Sequence, residues 1–296
     1  MVAEELRTSA YLLAADPTWL EESVASYYDL VDMIVISYDE TGTSWTGTPM
    51  PADACLERLR AIDVEGKMRF APGRYFRPGE HPLANETRQR SEALAVAGEH
   101  ADWVIQLDTD EVLGDPEEFR RSIRDADRLG YTGLEYPSRL LHQHVRDNIY
   151  LEQCNRLWTV AGFYPGPVAV RSGSRLTLAR QGDVTLYRAD FRATNTDPAH
   201  PTDAPVHRVV KQRQAIMHYS MVRSDEHMRA KSRASGHAGD FDWDRLIAKW
   251  QWNRAHPLLT VAGTPLQHGP GRRFLRLARI AGAPDAESRR RNGLQR

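Results

Sequence analysis

Three carboxylates within four consecutive residues are the feature of this sequence that most directly indicates chemistry. They belong to Asp108, Asp110 and Glu111, which follow the apolar run of residues 103–107. Alternate side chains of an extended chain point the same way, which would place Asp108 and Asp110 together. Buried carboxylates require a cation or hydrogen-bond donors, and a hard divalent ion with a substrate phosphate meets that requirement. The alternative interpretation is an acidic turn that leads into the next helix.

Alternating strand and helix patterns would position this motif. We predict strands at residues 9–15, 31–37, 67–71 and 103–107, separated by helices at residues 17–29, 51–62 and 85–99. The pair Asp16-Pro17 suits the N-cap and first position of the first helix. This order implies parallel strands, and ligands of such sheets bind beyond the carboxyl ends of the strands. Asp16, Asp39-Glu40 and the motif Asp108-Thr-Asp110 all follow strands, so the sequence predicts three acidic positions at one edge.

The bulk composition is that of an ordinary globular protein. The chain has 296 residues, 41% hydrophobic and 27% charged, and a formal net charge of -1, which gives no overall attraction for nucleic acid. Its two cysteines, Cys55 and Cys154, exclude a disulfide framework and a four-cysteine zinc site. The acidic first residues do not resemble a signal peptide, and no apolar run reaches the roughly 18 residues of a membrane span. We therefore expect a cytoplasmic protein.

These residues resemble a glycosyltransferase of the GT-A fold, of the family-2 type. The resemblance covers residues 9–113 and resumes more loosely at residues 218–231. It is carried by the opening strand and helix, the second strand with its terminal acids, the Arg88-Gln-Arg90 helix and the D-x-D motif. It implies an α/β fold, with a Rossmann-like mixed sheet flanked by helices and a C-terminal helical extension. It also implies transfer of a sugar from a nucleotide diphosphate sugar, such as a UDP- or GDP-sugar, to an acceptor hydroxyl.

The resemblance implies a role for each matching residue. Asp110 would be the main ligand of Mn²⁺ or Mg²⁺, with Asp108 bound to the ribose or to the metal through water, and His218 would complete the metal site. Lys231 could neutralise the diphosphate leaving group. Asp39 would face the base or ribose, and either Arg88 or Arg90 would steady the nucleotide. The implied donor-binding set is Ala15, Asp16, Asp39, Glu40, Arg88, Arg90, Asp108 and Lys231.

The catalytic base is the part that the resemblance does not supply. Some related enzymes carry an acid after a segment like Arg156-Leu-Trp158, but residues 166–170 of this chain contain none. An inverting transfer needs a base within reach of the acceptor hydroxyl. Glu152 is the candidate by position, and Asp190 is the alternative. A front-side, retaining transfer would need no such base, so the stereochemistry stays open.

The pattern of the whole chain predicts a division into four parts. Residues 1–115 would bind the nucleotide sugar and residues 116–240 the acceptor, with a polar loop at residues 188–206. Residues 241–282 would form C-terminal helices, and residues 283–296 a disordered tail. Residues 272–280 form a stripe of apolar residues with basic flanks, which is typical of a helix. We favour the docking of this helix onto the protein's own core, and its contact with a membrane surface is the alternative.

Two other functions share part of this pattern. A nucleotidyltransferase that makes an activated sugar uses the same sheet edge, but it normally shows a Gly-rich phosphate loop after the first strand, and none follows Ala15. A catalytically silent nucleotide- or carbohydrate-binding protein could keep the fold. Turnover of a donor in the presence of a divalent ion separates the silent protein from the enzyme.

Overall fold

The computed structural model describes residues 6–201, 203–266, 274–284 and 286–291. Its strands are β1 Thr8–Leu13, β2 Met33–Asp39, β3 Met68–Gly73, β4 Trp103–Ile105, β5 Glu111–Leu113, β6 Gly133–Glu135, β7 Ser138–Arg146, β8 Ile149–Cys154, β9 Ala169–Arg171, β10 Leu176–Leu178, β11 Gln181–Gly182, β12 Leu186–Asp190, β13 Arg208–Val209, β14 Ile216–His218 and β15 Phe274–Arg279. Its helices are α1 Leu20–Ala25, α2 Ala52–Ile62, α3 Pro82–Ala97, α4 Pro116–Arg128, α5 Asp225–Ala234, α6 Trp243–Ala255, α7 Pro257–Ala262 and α8 Ala286–Arg291. Short 3-10 turns lie at Tyr28–Leu30, Gly98–His100, Gln212–Gln214 and Thr264–Leu266.

The main sheet has the strand order β13-β12-β6-β9-β4-β1-β2-β3. Its strands are parallel except β9, which runs antiparallel to both of its neighbours. Alternate residues of β1 enter two apolar cores, Ala10 and Leu12 on the face covered by α1, α2 and α4, and Tyr11 and Leu13 on the face covered by α3. The predicted α/β fold, a mixed sheet flanked by helices, is therefore confirmed.

The acidic turn links this sheet to a second one. The second sheet has the order β15-β8-β7-β14-β5, and β5 begins at Glu111, directly after the D-x-D motif. Strand β14 runs antiparallel to β5 and sets His218 opposite Glu111. A histidine that is distant along the chain is thus held beside the acidic motif by backbone pairing.

Asp16 does not cap the first helix, contrary to the sequence-based prediction. Helix α1 begins only after Trp19, whose backbone φ is 67°. The Trp19 ring stacks on Tyr219 at 4.4 Å between centroids, and its Nε1 donates to the Val222 carbonyl at 2.9 Å. These tertiary contacts override the local N-cap preference, and they leave the Asp16 carboxylate free to bind Arg223.

The C-terminal segment also differs from its prediction. Residues 274–279 form the strand β15 rather than a helix, because they pair along the whole of β8 and so satisfy the backbone of both strands. Residues 272 and 273 lie outside the described residues. Within the tail for which the sequence predicts disorder, Ala286–Arg291 is helical, while residues 292–296 lie outside the described part.

Gly114 allows β5 to approach β14, and it provides a test of this architecture. A Cβ at this position would lie 2.3 Å from the Arg213 carbonyl oxygen and 2.7 Å from that of Ala215. We expect Gly114→Ala to lower the free energy of unfolding by about 1–3 kcal/mol, because two backbone segments must separate. Urea denaturation measures the change. Gly239→Ala is the control, since nothing lies within 4 Å of its Cβ; equal losses in the two variants would contradict the packing.

Candidate active site

The predicted acidic residues lie at the carboxyl edge of the main sheet. Ala15 and Asp16 follow β1, Asp39 ends β2, and Asp108 and Asp110 follow β4. These strands are mutually parallel, so their carboxyl ends share one edge. Glu135 and Asp190, the last residues of β6 and β12, share that edge as well, because β6 and β12 run in the same direction as β4.

Asp110 is the most heavily contacted of these acids. Its Oδ2 accepts hydrogen bonds from Arg223 Nη2 at 2.6 Å and from Lys231 Nζ at 2.8 Å, and its Oδ1 lies 3.3 Å from His218 Nε2. Burial raises the pKa of the Asp110 carboxyl, but Lys231, His218 and Arg223 outweigh that effect and hold this pKa well below its ordinary value. Asp110 is therefore a carboxylate at neutral pH.

Arg223 joins three segments of the chain at this point. Its guanidinium is buried, donates to Asp16 as well as to Asp110, and places Nε 2.9 Å from the Ser220 carbonyl oxygen. Burial raises the pKa of Asp16, but the attraction of Arg223 outweighs it and the pKa falls below its ordinary value. Sequence reasoning assigned no role to Arg223; its place in the segment after His218 was the available signal.

A second pair of arginines holds the other side of the motif. Arg90 Nη2 donates to Asp108 Oδ1 at 2.7 Å, and its Nε donates to Glu86 Oε1 at 2.9 Å. Arg180, in the turn between β10 and β11, donates to both oxygens of Glu111 at 2.6 and 2.8 Å and lies 3.4 Å from Asp108. Arg90, rather than Arg88, therefore contacts the acidic motif. The local sequence around Arg180 contains no feature that predicts its contact with this motif. The ion-pair cluster, as we use the term, consists of Asp16, Glu86, Arg90, Asp108, Asp110, Glu111, Arg180, His218, Arg223 and Lys231.

Three of the predicted donor-binding residues contact neighbouring loops. The Asp39 carboxylate accepts from the Tyr75 backbone N–H at 3.0 Å and from the backbone of the loop after β2. Glu40 forms an exposed ion pair with Arg74 at 2.5 Å. Arg88 donates to the Tyr75 carbonyl oxygen at 3.0 Å. These contacts fix the loops beside the ion-pair cluster, and they show no direct link between these residues and Asp108.

Glu152, the candidate base, lies in a different environment. It is fully buried, binds Arg139 at 2.5 and 3.0 Å, and accepts a further bond from Arg276 at 2.9 Å. His218 is paired with Leu140, so Arg139, one residue earlier, and the Glu152 it holds face the other side of the second sheet. A carboxylate that is held by two guanidinium groups on the far face does not suit proton transfer at the edge of the main sheet.

A second polar cluster lies farther along the same edge, beside β6 and β12. His200 Nδ1 is 2.6 Å from Asp197 Oδ2, and its Nε2 is 3.7 Å from Glu135 Oε1. Arg188 lies 3.2 Å from Glu135 and 3.9 Å above the Tyr164 ring. Burial raises the pKa of Glu135 above its ordinary value despite the attraction of Arg188. We call this group the His200 cluster; His200 had no role in the sequence-based prediction.

Asp190, the alternative base, organises the loop that carries His200. It is fully buried and accepts from the Thr196 backbone N–H at 2.8 Å and the Thr196 hydroxyl at 2.5 Å. The polar loop predicted at residues 188–206 therefore begins only after β12, and hydrogen bonds to Asp190 and Asn195 order it.

The carboxylate oxygens and the imidazole nitrogen at the D-x-D motif are atoms that can bind a divalent ion. In this structure, however, protein cations already occupy the positions around them. Among the described residues, no group of three or more His, Cys, Asp or Glu side chains is placed to hold a metal ion. Each carboxylate of the motif instead faces two protein cations, Arg223 and Lys231 for Asp110 and Arg90 and Arg180 for Asp108. Lys231 is the most exposed of these, at 25%. An ion bound by Asp108, Asp110 and His218 would therefore take the place of Lys231.

Known proteins show only distant likeness to this chain. No protein-family model matches it, and a search of curated proteins found no match. A mannosyltransferase from Pyrobaculum calidifontis, solved with GDP-Man and Mn²⁺, is 12% identical and covers 46% of this chain and 37% of its own, with a TM-score of 0.33. The 4-diphosphocytidyl-2C-methyl-D-erythritol synthase from Anaerococcus prevotii is 13% identical over 68% of this chain and 92% of its own, with a TM-score of 0.37. A mannose-1-phosphate geranyltransferase from Thermus thermophilus is 14% identical over 57% and 51%, with a TM-score of 0.29.

The lowered pKa of Asp110 leads to a test by pH. A carboxylate of depressed pKa stabilises the fold above its unfolded pKa of about 3.9, and this contribution is lost as the pH falls toward the folded value. We expect Asp110→Asn to lower the melting temperature clearly at pH 7, and the gap from the wild type to narrow below about pH 4. Thermal denaturation from neutral to acid pH measures both effects.

The control for this test is Asp32→Asn, a substitution at an exposed aspartate. Its melting temperature should follow that of the wild type at every pH. A gap between wild type and Asp110→Asn that stays constant down to acid pH would contradict the ionised state assigned to Asp110.

Proposed function

We propose that this chain is a glycosyltransferase that moves a sugar from a nucleotide diphosphate sugar to an acceptor hydroxyl. One observation carries the proposal. Carboxylates from the ends of β1 and β4 meet Arg223 and Lys231, from the segment after β14, at the sheet edge where α/β proteins bind ligands. Buried ionisable groups with strongly shifted pKa values at such an edge are typical of functional sites.

The accessible groups of the ion-pair cluster suit the two chemical parts of such a donor. Asp16 and Asp108 are 31% and 32% exposed, and Lys231 and His218 are also partly exposed. Carboxylate oxygens accept hydrogen bonds from sugar and ribose hydroxyls, and an ammonium on a flexible stem binds phosphate. The buried arginines fix these groups in place without facing the ligand.

The charges of the cluster support a divalent counter-ion for the donor. Asp16 and Asp110 are balanced by Arg223 and Lys231, whereas three carboxylates on the other side face two guanidinium groups, those of Arg90 and Arg180. A diphosphate would add negative charge to a set that has no spare cation. Mn²⁺ or Mg²⁺ held by Asp108, Asp110 and His218 would supply the missing charge, and Lys231 would then be released to the leaving diphosphate.

A metal and donor titration with Lys231→Met tests this exchange. Removal of the competing ammonium should strengthen Mn²⁺ binding to the donor-free protein by about fivefold, the equivalent of an ion pair worth roughly 1 kcal/mol. The same variant should bind the donor more weakly in Mn²⁺, because the diphosphate loses a partner. Calorimetry with Mn²⁺ alone, and then with UDP-, GDP- and dTDP-sugars, measures both changes.

Lys67→Met is the matched control, since Lys67 is also a partly exposed lysine in an ion pair but lies just before β3, at the opposite end of the strands. It should change neither affinity. Equal Mn²⁺ affinity in the wild type and Lys231→Met would contradict the exchange. Donor binding without release of the nucleoside diphosphate in any acceptor mixture would favour the catalytically silent protein over the enzyme.

We propose His200, in the His200 cluster, as the base for the transfer. Its Nδ1 is held by Asp197, which orients the ring, so that Nε2 is the nitrogen that can accept the acceptor proton. His200 is partly exposed, in contrast to the buried Glu152 and Asp190. A base at this position, two strands away from the ion-pair cluster, supports an inverting transfer.

Substitution of His200 tests this assignment. His200→Gln should lower kcat by about 10²- to 10⁴-fold and leave the donor affinity unchanged, because glutamine cannot accept the proton. Asp197→Asn should reduce kcat less, because the ring would lose its orienting partner but keep the nitrogen that accepts the proton. His144→Gln, at a histidine of the second sheet, is the control. A parallel loss of donor affinity in His200→Gln would show a structural role and remove His200 as the base.

A further inference from the structure

Six of the exposed large apolar side chains in the described residues belong to neighbouring elements. They belong to α6, α7, the turn after α7 and the turn after β8, and they are Leu157, Trp158, Trp252, Leu258, Leu259 and Leu266. Hydrogen bonds join these elements. Trp158 Nε1 donates to the carbonyl oxygen of Val261 in α7 at 3.1 Å, and Arg156 donates to the carbonyl oxygen of Pro265 in the turn after α7. We call this surface the apolar face. Apolar side chains that are grouped at a protein surface mark interaction sites.

Helix α7 is the centre of the apolar face, and its burial pattern is inverted. Leu258 and Leu259 are 71% and 62% exposed, whereas Thr260 is buried and bonds through its hydroxyl to Asn253 and to the His256 carbonyl. A helix that served only its own core would turn its leucines inward and its threonine outward. The exposed leucines therefore indicate a surface outside the chain.

The turn beside α7 is built to present its apolar side chains. Asn155 Oδ1 accepts from the backbone N–H groups of Leu157 and Thr159 at 3.0 and 3.1 Å, which closes the turn. Trp158 has a backbone φ of 57°, a left-handed conformation that is unfavourable for a bulky residue. The turn thus holds Leu157 and Trp158 at the surface at a cost in backbone strain.

The charge of this region identifies the chemistry of the partner. The sequence has no Asp or Glu from Arg245 to Pro284, and in that stretch it carries Arg245, Lys249, Arg254, Arg272, Arg273, Arg276 and Arg279. Residues 272 and 273 lie outside the described part. Arg156 reaches the apolar face itself and forms no ion pair among the described residues. Arg254 and Arg276 already pair with Asp225 and Glu152, whereas Arg245 and Arg279 are exposed and form no ion pair among the described residues. An apolar surface with Trp residues and such arginines suits the interface of an anionic bilayer.

We propose that the apolar face binds the surface of an anionic lipid membrane. Leucine side chains would enter the acyl boundary, Trp158 and Trp252 would lie at the level of the headgroups, and Arg156, Arg245 and Arg279 would contact lipid phosphates. A second copy of this chain suits the face less well, because the positive charges beside the two faces would repel each other. Within the described residues, no helix has the length and apolarity needed to cross a bilayer, so the contact is peripheral. This inference is independent of the proposed transferase activity.

Vesicle co-sedimentation of the full chain tests the proposal. The protein should sediment with phosphatidylglycerol-containing vesicles at low salt, bind pure phosphatidylcholine vesicles at least about fivefold more weakly, and lose binding as salt screens the arginines. Leu258→Ser/Leu259→Ser should reduce binding to the anionic vesicles at least about tenfold, since two apolar side chains no longer enter the bilayer. Both leucines are exposed, so the fold should remain intact; circular dichroism checks this.

The control is Val64→Ser/Leu129→Ser, which removes two exposed apolar side chains elsewhere on the surface. This variant should bind the anionic vesicles like the wild type. No sedimentation of the wild type with anionic vesicles, or equal losses in the two double variants, would overturn the proposal. A wild-type dimer in light scattering that Leu258→Ser/Leu259→Ser converts to a monomer would assign the face to a second copy instead, and would also overturn it. Donor affinity of the same variants, measured without lipid, reports separately on the transferase proposal.

Discussion

The contact of Asp110 with Arg223 and Lys231 is the interaction on which the rest of the candidate site depends. Arg223 donates to Asp16 at the same time, so one buried guanidinium holds the end of β1, the turn after β4 and the segment after β14 in a fixed relation. Removal of one member would leave a buried charge without its partner, which is far more costly than the pair is favourable. The cluster therefore serves geometry more than net stability.

For the donor that we propose, the same contacts define what binding requires. A sheet edge with free carboxylates would accept a metal directly, but here the carboxylates already have protein counter-ions. The buried arginines are fixed, and Lys231 is the partly exposed member on a flexible stem. When a ligand brings both a metal ion and a diphosphate, the metal can replace Lys231 at Asp110 and the diphosphate can become the new partner of Lys231, so no ion pair is lost. A metal alone would leave Lys231 without a partner, and a diphosphate alone would leave Asp110 without Lys231.

The sequence predicted the elements whose signals are local. Hydrophobic runs and the acids after them located β1, β2 and β4 and placed Asp16, Asp39 and Asp108 at the correct edge, because parallel strands end together. The partners of these acids were not predictable in the same way. Arg180 reaches Glu111 from a hairpin far along the chain, and the residues that bury it have no local pattern.

The wrong predictions have the same origin. The N-cap assigned to Asp16 was overridden by the tertiary contacts of Trp19, and residues 274–279 form a strand because the free edge of β8 was there to pair with them. The base assigned to Glu152 stays a prediction, and the long-range contacts of Glu152 with Arg139 and Arg276 on the far face argue against it. In each case a long-range partner, invisible in a window of local sequence, decided the outcome.

Hydrogen–deuterium exchange with and without a nucleotide diphosphate sugar and Mn²⁺ tests the central claim most directly. If the donor binds at the ion-pair cluster, peptides covering residues 106–111 and 218–231 should exchange more slowly together when the matching donor is added, and peptides on the opposite edge of the sheet should not change. Protection of other segments alone, or no protection by UDP-, GDP- or dTDP-sugars, would contradict the assignment of this edge as the donor site.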